Sequence, residues 1–263
     1  NWWVEENTGG LIRNFLDKPL EEDSRLALFN TVYFKGKWRI PFEAVDTYER
    51  PFTLGNGKVV NVDTMNLYRK YLDYFKTDLC EGILMPYRDS DLVFAAVKPS
   101  ADFGKQEEGT DKAAASRIRQ LYEQLDMEEI AGIAQGAAST EVNLHLPKFE
   151  TAFDRVLNDD LIRMGLVRAF DPDQADFTGL GTGEDGRTVF IDTVRQKAVF
   201  ILDEEGTEAA AGTEVRMFGA TAVMEQTVPV EVDFNEPFLY MVLDPESGVP
   251  LFAGIMDDPS KTR

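Results

Sequence analysis

The chain has 263 residues, 43% of them hydrophobic, which suits one large globular domain or two small ones. Its 47 acidic residues outnumber 27 Lys and Arg, and the resulting net charge of -20 argues against nucleic acid or an anionic membrane as a partner. No apolar run approaches the roughly 20 residues of a membrane span. With one cysteine, Cys80, an intrachain disulfide is excluded.

The N-terminal segment is typical of the end of an interrupted helix. Trp2, Trp3 and Val4 are apolar from the outset, and further apolar residues follow the glycines at 9 and 10. Residues 24–40 then form a long β-rich run, and Asn30 lies in its middle. A buried amide costs about 1–3 kcal/mol unless it is hydrogen-bonded, so Asn30 is predicted to have a partner.

Residues 52–99 are predicted to form a set of short strands. Asn56 and Gly57 form a hairpin signal within this stretch. Cys80 lies between Leu79 and Glu81 and is interpreted as a packing residue rather than a nucleophile.

The stretch that follows is predicted to contain two helices and one strand. Apolar residues at helical spacing predict an amphipathic helix over 111–129, followed by a loop over 131–139. Alternation over 141–150 predicts a strand. A second helix is expected over 152–165, ending at Gly165.

Residues with catalytic chemistry are scarce in this sequence. The chain has one histidine, His145, and one cysteine, and neither is flanked by a catalytic signature. No phosphate-binding glycine loop and no clustered metal-ligand pattern is present. The sequence therefore predicts a protein that is not an enzyme and has no metal site and no cofactor.

Residues 190–204 are predicted to form a strand that leads into an unusual segment. From Thr207 to Gly219 the side chains alternate, with small or apolar residues on one face and every charge on the other. The composition is nevertheless rich in Ala and Gly, which are weak strand formers. This combination favours two states, an exposed loop and an inserted strand.

Five motifs occur in order along the chain: NTVYFKGKW at 30–38, EVNLHLPKF at 141–149, ADFTG at 175–179, EEGTEAAAGT at 204–213 and LFAG at 251–254. Together they resemble the serpins, serine protease inhibitors that insert a cleaved loop into a sheet. The resemblance covers nearly the whole chain. It implies an α+β serpin fold with a large mixed sheet that accepts the loop, smaller sheets and surrounding helices.

The N-terminal stretch NWWVEENTGGLI at 1–12 resembles a serpin segment that lies well inside the family's chain. Residues 1–263 are therefore expected to be the C-terminal portion of a single serpin domain, with the family's N-terminal helices and strands absent or supplied by another chain. The reactive loop is placed at about 204–230. The sheet-opening region would comprise Asn30, Trp38 and Gln196, with Gln196 where most serpins have a histidine. A glutamine can still bond Asn30, but it cannot titrate.

The resemblance also assigns the loop. Its hinge would comprise Glu204, Gly206, Thr207, Glu208, Ala209, Ala210, Ala211, Gly212 and Thr213. The family's usual spacing puts the reactive bond between Ala220 and Thr221, where small side chains suit an elastase-like protease. Counting back from Pro237 instead points nearer to Glu225 and Gln226.

The expected function is suicide inhibition of a serine protease outside the cell, with the cleaved loop inserted into the large sheet. The alternative is a non-inhibitory serpin acting as a carrier or chaperone.

Overall fold

The computed structural model describes residues 1–20, 24–104, 113–181, 186, 188–207 and 228–261. Its helices are α1 (Trp2–Asn7), α2 (Ala113–Gln124), α3 (Met127–Gly136) and α4 (Asn158–Arg163), with short 3-10 helices at Ala44–Asp46 and Arg168–Phe170. The strands are β1 (Ala27–Tyr33), β2 (Gly36–Lys37), β3 (Thr47–Thr53), β4 (Val59–Lys76), β5 (Cys80–Pro86), β6 (Val93–Pro99), β7 (Ala138–Pro147), β8 (Phe149–Val156), β9 (Thr193–Leu202), β10 (Gly206–Thr207), β11 (Val230–Asp233), β12 (Phe238–Leu243) and β13 (Pro250–Met256). None of the helices in the described part of the chain is long and apolar enough to cross a membrane.

The chain divides into two compact units. The first contains residues 1–34 and 151–200. Here β1 pairs in parallel with β9, from Ala27 opposite Thr193 to Tyr33 opposite Val199. Strand β8 also pairs with β9. Because β1 and β9 are direct hydrogen-bonded neighbours, no strand lies between them along this length.

The second unit contains residues 35–150 and 201–262. Its main sheet has eight strands in the order β11-β7-β4-β5-β6-β12-β13, with β3 also paired to β4. Strands β6 and β12 are apolar and buried almost throughout, as expected for central strands covered on both faces. From the helices, Ile118 and Leu121 of α2 and Ile130 and Ile133 of α3 join this core.

The predicted helix over 111–129 is wrong in its extent. Two helices, α2 and α3, occupy this region, and α3 continues to Gly136 through most of the predicted loop. The break has a local cause: the Asp126 side chain accepts the Glu129 amide, and the Glu129 side chain accepts the Asp126 amide. This reciprocal capping box starts a new helix at Met127.

The predicted helix over 152–165 is also wrong for most of its length. Strand β8 runs to Val156, and only α4 is helical. The cause is tertiary, since β8 pairs with β9 and its Asp154 carboxylate binds Arg195 of that strand at 2.8 Å. The predicted end is confirmed, because Gly165 follows the helix with a φ of 102°.

Candidate functional site

The site is built around residues 203–207, called here the hinge root, which lead from β9 to the segment 208–227. The Asp203 carboxylate accepts the amides of Glu205 at 3.0 Å and Gly206 at 3.2 Å, and the Asp203 amide donates to the Gly206 carbonyl at 2.9 Å. Burial raises the pKa of Asp203, and those two amides partly oppose the shift. The turn is therefore fixed by its own first side chain.

Three successive carbonyls of the hinge root are held from one side. The indole Nε1 of Trp38 donates to the Asp203 carbonyl at 2.9 Å. The backbone amides of Phe42 and Trp38 donate to the carbonyls of Glu204 and Glu205, each at 2.9 Å. Trp38 is completely buried, so the turn is fastened to the core rather than to a surface loop.

Thr207 ends the hinge root inside the sheet. It pairs with Leu202 of β9 and with Gly36 of β2, and it is 0% exposed. Its hydroxyl lies 2.8 Å from the Tyr87 hydroxyl, and the Tyr87 ring stacks on Trp38 with centroids 5.0 Å apart. Burial raises the pKa of Tyr87, although the bond with Thr207 opposes the shift, so the phenol stays neutral. The first small residue of the alternating face is therefore already buried.

Gly206 is required by the close approach of β10 to β2. A Cβ at this position would collide with the Gly36 carbonyl oxygen and lie 2.8 Å from the Lys37 Cα. Any larger residue would separate the two strands.

An ion pair flanks the hinge root. Lys148 Nζ donates to Glu204 Oε2 at 2.8 Å, with the Glu204 side chain 17% exposed and the Lys148 side chain 42% exposed. Burial alone would raise the pKa of Glu204, but the bond and charge of Lys148, together with a bond from Thr47 and one from the backbone amide, lower the pKa overall. Glu204 is therefore ionised at neutral pH.

The predicted sheet-opening residues lie partly in the first unit. Asn30 and Gln196 are register partners, and Gln196 Nε2 donates to Asn30 Oδ1 at 3.0 Å, as predicted. Asn30 is, however, exposed rather than buried, so the expectation of a core amide is wrong for the described structure. Trp38 lies in the second unit, at the hinge root.

The Phe15 side chain packs across the junction between the paired strands β1 and β9. Its ring is 1% exposed, packs on Phe29 of β1 with centroids 5.1 Å apart, and lies under the cations of Arg195 and Lys197 of β9, 5.8 and 5.4 Å away. Asp154 of β8 binds both cations. A side chain from the N-terminal arm thus ties the two strands together.

Of the predicted hinge, Glu204, Gly206 and Thr207 are brought together with Trp38. Six hinge residues and the predicted reactive bond lie outside the described residues: Glu208, Ala209, Ala210, Ala211, Gly212, Thr213, Ala220 and Thr221. Sequence reasoning missed Asp203, Tyr87 and Lys148 as site residues. The Asp three residues before Gly206 was a readable turn signal, whereas the two others become neighbours of the hinge root only through the fold.

The contacts of the site anchor the hinge root, because they hold three of its carbonyls and bury Thr207. In the described part of the chain, no group of three or more His, Cys, Asp and Glu residues could hold a metal ion. His145 lies away from the hinge root, beside Asn66 and Glu231. The arrangement fixes Thr207, the residue before segment 208–227, in strand geometry.

Comparisons with known proteins agree with this geometry. A family profile described as "Serpin (serine protease inhibitor)" matches residues 1–259. A serpin-like protein of fowlpox virus is 34% identical over 258 residues, which are 97% of this chain and 66% of that protein. Human serpin B10 is 30% identical over 262 residues, 98% of this chain and 61% of its own length. The chain thus spans less than two thirds of these relatives.

Solved structures give the same result. Tengpin, a thermophilic serpin crystallised in its native state, matches with a TM-score of 0.79 and 28% identity over 98% of this chain and 62% of its own. Human thyroxine-binding globulin matches with a TM-score of 0.79 and 23% identity, over 100% of this chain and 63% of its own, which shows the fold alone. The expected α+β serpin fold is confirmed, and the chain belongs to the serpin family, the family of serine protease inhibitors.

Proposed function

We propose that the protein is an inhibitory serpin that traps a serine protease by inserting its cleaved loop into the sheet formed by β1 and β9. The observation that carries the proposal is the burial of Thr207 as a paired sheet residue at the start of the alternating segment, which continues with the small residues 209–213. A cleaved chain would therefore continue a strand that the hinge root has already begun. Bulky or charged residues on the inward face of the hinge would favour the alternative, a carrier or chaperone, and this face has none up to Thr213.

Insertion must exchange one strand pairing for two. The direct pairing of β1 with β9 would open, and each strand would gain a new neighbour along the line now bridged by Asn30 and Gln196. Residues 207–219 would add roughly a dozen backbone hydrogen bonds at about 0.5–1.5 kcal/mol each, plus apolar burial. A gain on the order of 10–20 kcal/mol is enough to carry a tethered protease and distort its active site.

We propose the bond between Ala220 and Thr221 as the reactive bond and an elastase-like enzyme as the target. Small residues at 219 and 220 suit a shallow primary pocket. Cleavage after Arg216 by a trypsin-like enzyme would leave a shorter inserted strand and a weaker trap.

The test is to incubate the full-length protein with an elastase and, in parallel, with trypsin. The proposal predicts an SDS-resistant complex with elastase and a released peptide whose mass begins at Thr221. A complex with trypsin and a peptide beginning at Met217 would show that the reactive bond is misplaced. Cleavage by every protease tried, with no stable complex, would instead support the carrier alternative.

We also propose an extracellular location, which rests on the family resemblance alone. Fractionation of the source cells tests it, since full-length protein retained in the cytoplasm would overturn it.

A further inference from the structure

Strand β11 is where the chain rejoins the sheet after segment 208–227. It is the end strand of the eight-stranded order and pairs in parallel with β7 over four residue pairs, from Val230 opposite Val142 to Asp233 opposite His145. Val232 is buried against the core, whereas Glu231 and Asp233 lie on the other face.

Polar contacts hold that second face. The Asp233 carboxylate accepts Arg50 of β3 at 2.7 Å. The Glu231 carboxylate accepts the Asn143 amide of β7 through one oxygen, and its other oxygen lies 3.4 Å from His145 Nε2. The His145 side chain is 9% exposed and the Glu231 side chain 63% exposed.

The hydrogen bonds of Asn66 fix the tautomer of His145. Asn66 donates its amide to the carbonyls of Asp46 at 2.6 Å and Thr64 at 2.8 Å, so its Oδ1 can only accept. That oxygen lies 2.5 Å from His145 Nδ1, which must therefore carry a proton. In the neutral ring Nε2 is unprotonated, and it faces the Glu231 carboxylate without a hydrogen between them. Protonation supplies that hydrogen.

The charged groups around His145 lie on two strands, β3 and β11, and they would separate if β11 left the sheet. Burial first, and then Arg50, lower the pKa of His145, while Asp233 and Glu231 raise it. Both carboxylates belong to β11. Arg50 on β3 would remain near His145, without its ion-pair partner Asp233. Tyr68 of β4, whose ring covers the histidine edge to face at 5.9 Å, also remains. Its bond with Tyr48, together with burial, raises the pKa of Tyr68 to about 12, so it stays neutral.

We propose that His145 is an acid-operated latch for β11: the protonated ring donates to Glu231 and fastens the strand, and the neutral ring releases this contact. The contact with Glu231 is made only by the protonated ring and only with β11 attached. By linkage, this contact strengthens attachment as the pH falls through the pKa of His145. The consequence for inhibition rests on the proposed function: a fastened β11 keeps segment 208–227 anchored at both ends until a protease cuts it.

Hydrogen exchange of the full-length protein tests the latch. Protection factors of the β11 amides, with intrinsic exchange rates divided out, are compared at about pH 5 and about pH 7.5, on either side of the ordinary histidine range. We expect protection to be about twofold to fivefold greater at the lower pH, the range for a partly exposed ion pair. Equal protection at both values, or weaker protection in acid, would overturn the latch.

Two variants assign the effect. Glu231→Gln keeps an oxygen for Asn143 but removes the charge, so it should reduce the pH dependence to the part that Asp233 supports. Glu236→Gln makes the same change three residues beyond β11, where the side chain pairs with Arg117 at 3.5 Å, and should leave the dependence intact. An undiminished pH dependence in Glu231→Gln would overturn the assignment. The exchange measurement does not require inhibition, so it is independent of the elastase assay, and either proposal can fail alone.

Discussion

At the scale of single residues, Thr207 determines what the sheet can accept. Its side chain is fully buried and bonded to Tyr87, so a replacement must fit a closed, largely apolar position. Thr207→Arg would bury an unpaired guanidinium at a cost of several kcal/mol. We predict that this variant is cleaved by elastase as a substrate, with the yield of SDS-resistant complex lost.

Thr207→Val is the matched control for that substitution. It keeps the volume and loses only the hydroxyl bond to Tyr87, worth about 1 kcal/mol. The valine variant should be slightly less stable in urea and still form the complex. If the arginine variant inhibited as well as the valine variant, Thr207 would not be part of the inserting strand.

The Lys148–Glu204 pair is the second residue-scale test. Because Lys148 is half exposed, solvent screens the pair, and we expect a coupling of about 0.5–1 kcal/mol in a double-mutant cycle of Glu204→Gln and Lys148→Gln followed by urea unfolding. The pKa of Glu204 is lowered in the folded protein from 4.5. Its contribution is therefore present above pH 4.5 and lost as the pH falls through the folded pKa. A coupling of equal size well below that pKa would contradict the assignment.

The hydrogen-bond partner of a single residue could be predicted where the order of the motifs implied it. The bond between Gln196 and Asn30 was predicted and is present, because both residues lie in strands with recognisable flanks. The roles of Tyr87 and Lys148 were missed because their contacts span 120 and 56 residues, and no local pattern encodes such a distance.

At the scale of elements, the two errors have opposite causes. Helix α3 was hidden by its own composition, since the Gly and Ala content of residues 131–138 suggested a loop although Ile130 and Ile133 fill the core. Strand β8 was hidden because its pairing with β9 overrides a locally helix-compatible sequence. One error came from an overlooked cap, and the other from a partner about 40 residues away.

The cap gives a direct test of why α3 exists. Asp126→Ala removes the side chain that accepts the Glu129 amide at 2.9 Å and should lower the free energy of unfolding by about 0.5–2 kcal/mol. Asp126→Ser can still cap and serves as the control, with a smaller loss. Urea unfolding of the three proteins measures the difference. Equal stability of the alanine and wild-type proteins would mean that burial of Ile130 and Ile133 alone fixes this helix.

At the scale of the whole molecule, the order of the motifs predicted the family, because five short patterns in one order are far more specific than any one of them. The order of the motifs could not show which strands of the sheet are neighbours. The direct pairing of β1 with β9 over seven residue pairs is visible only in the structure. The proposed reactive bond stays a prediction, because residues 208–227 lie outside the described part.

That pairing leads to a prediction about stability. A sheet in which β1 and β9 pair directly holds fewer strands than one with the cleaved loop between them, so the proposed insertion would make the intact protein the less stable form. An added gain on the order of 10–20 kcal/mol, at about 2–4 °C for each kcal/mol, predicts that cleavage raises the melting temperature by tens of degrees.

Calorimetry of the intact and cleaved full-length protein, with Thr207→Arg as a third sample, makes this prediction decisive. In the arginine variant cleavage should raise the melting temperature little, because a charge at position 207 displaces the start of the strand from the sheet and the residues after it cannot insert. If cleavage raised the melting temperatures of the wild-type and Thr207→Arg proteins equally, relief of local strain would explain the rise and insertion would not. If intact and cleaved wild-type protein melted together, the sheet would not accept the loop at all, and the Phe15 contact across β1 and β9 would mark a junction that stays closed.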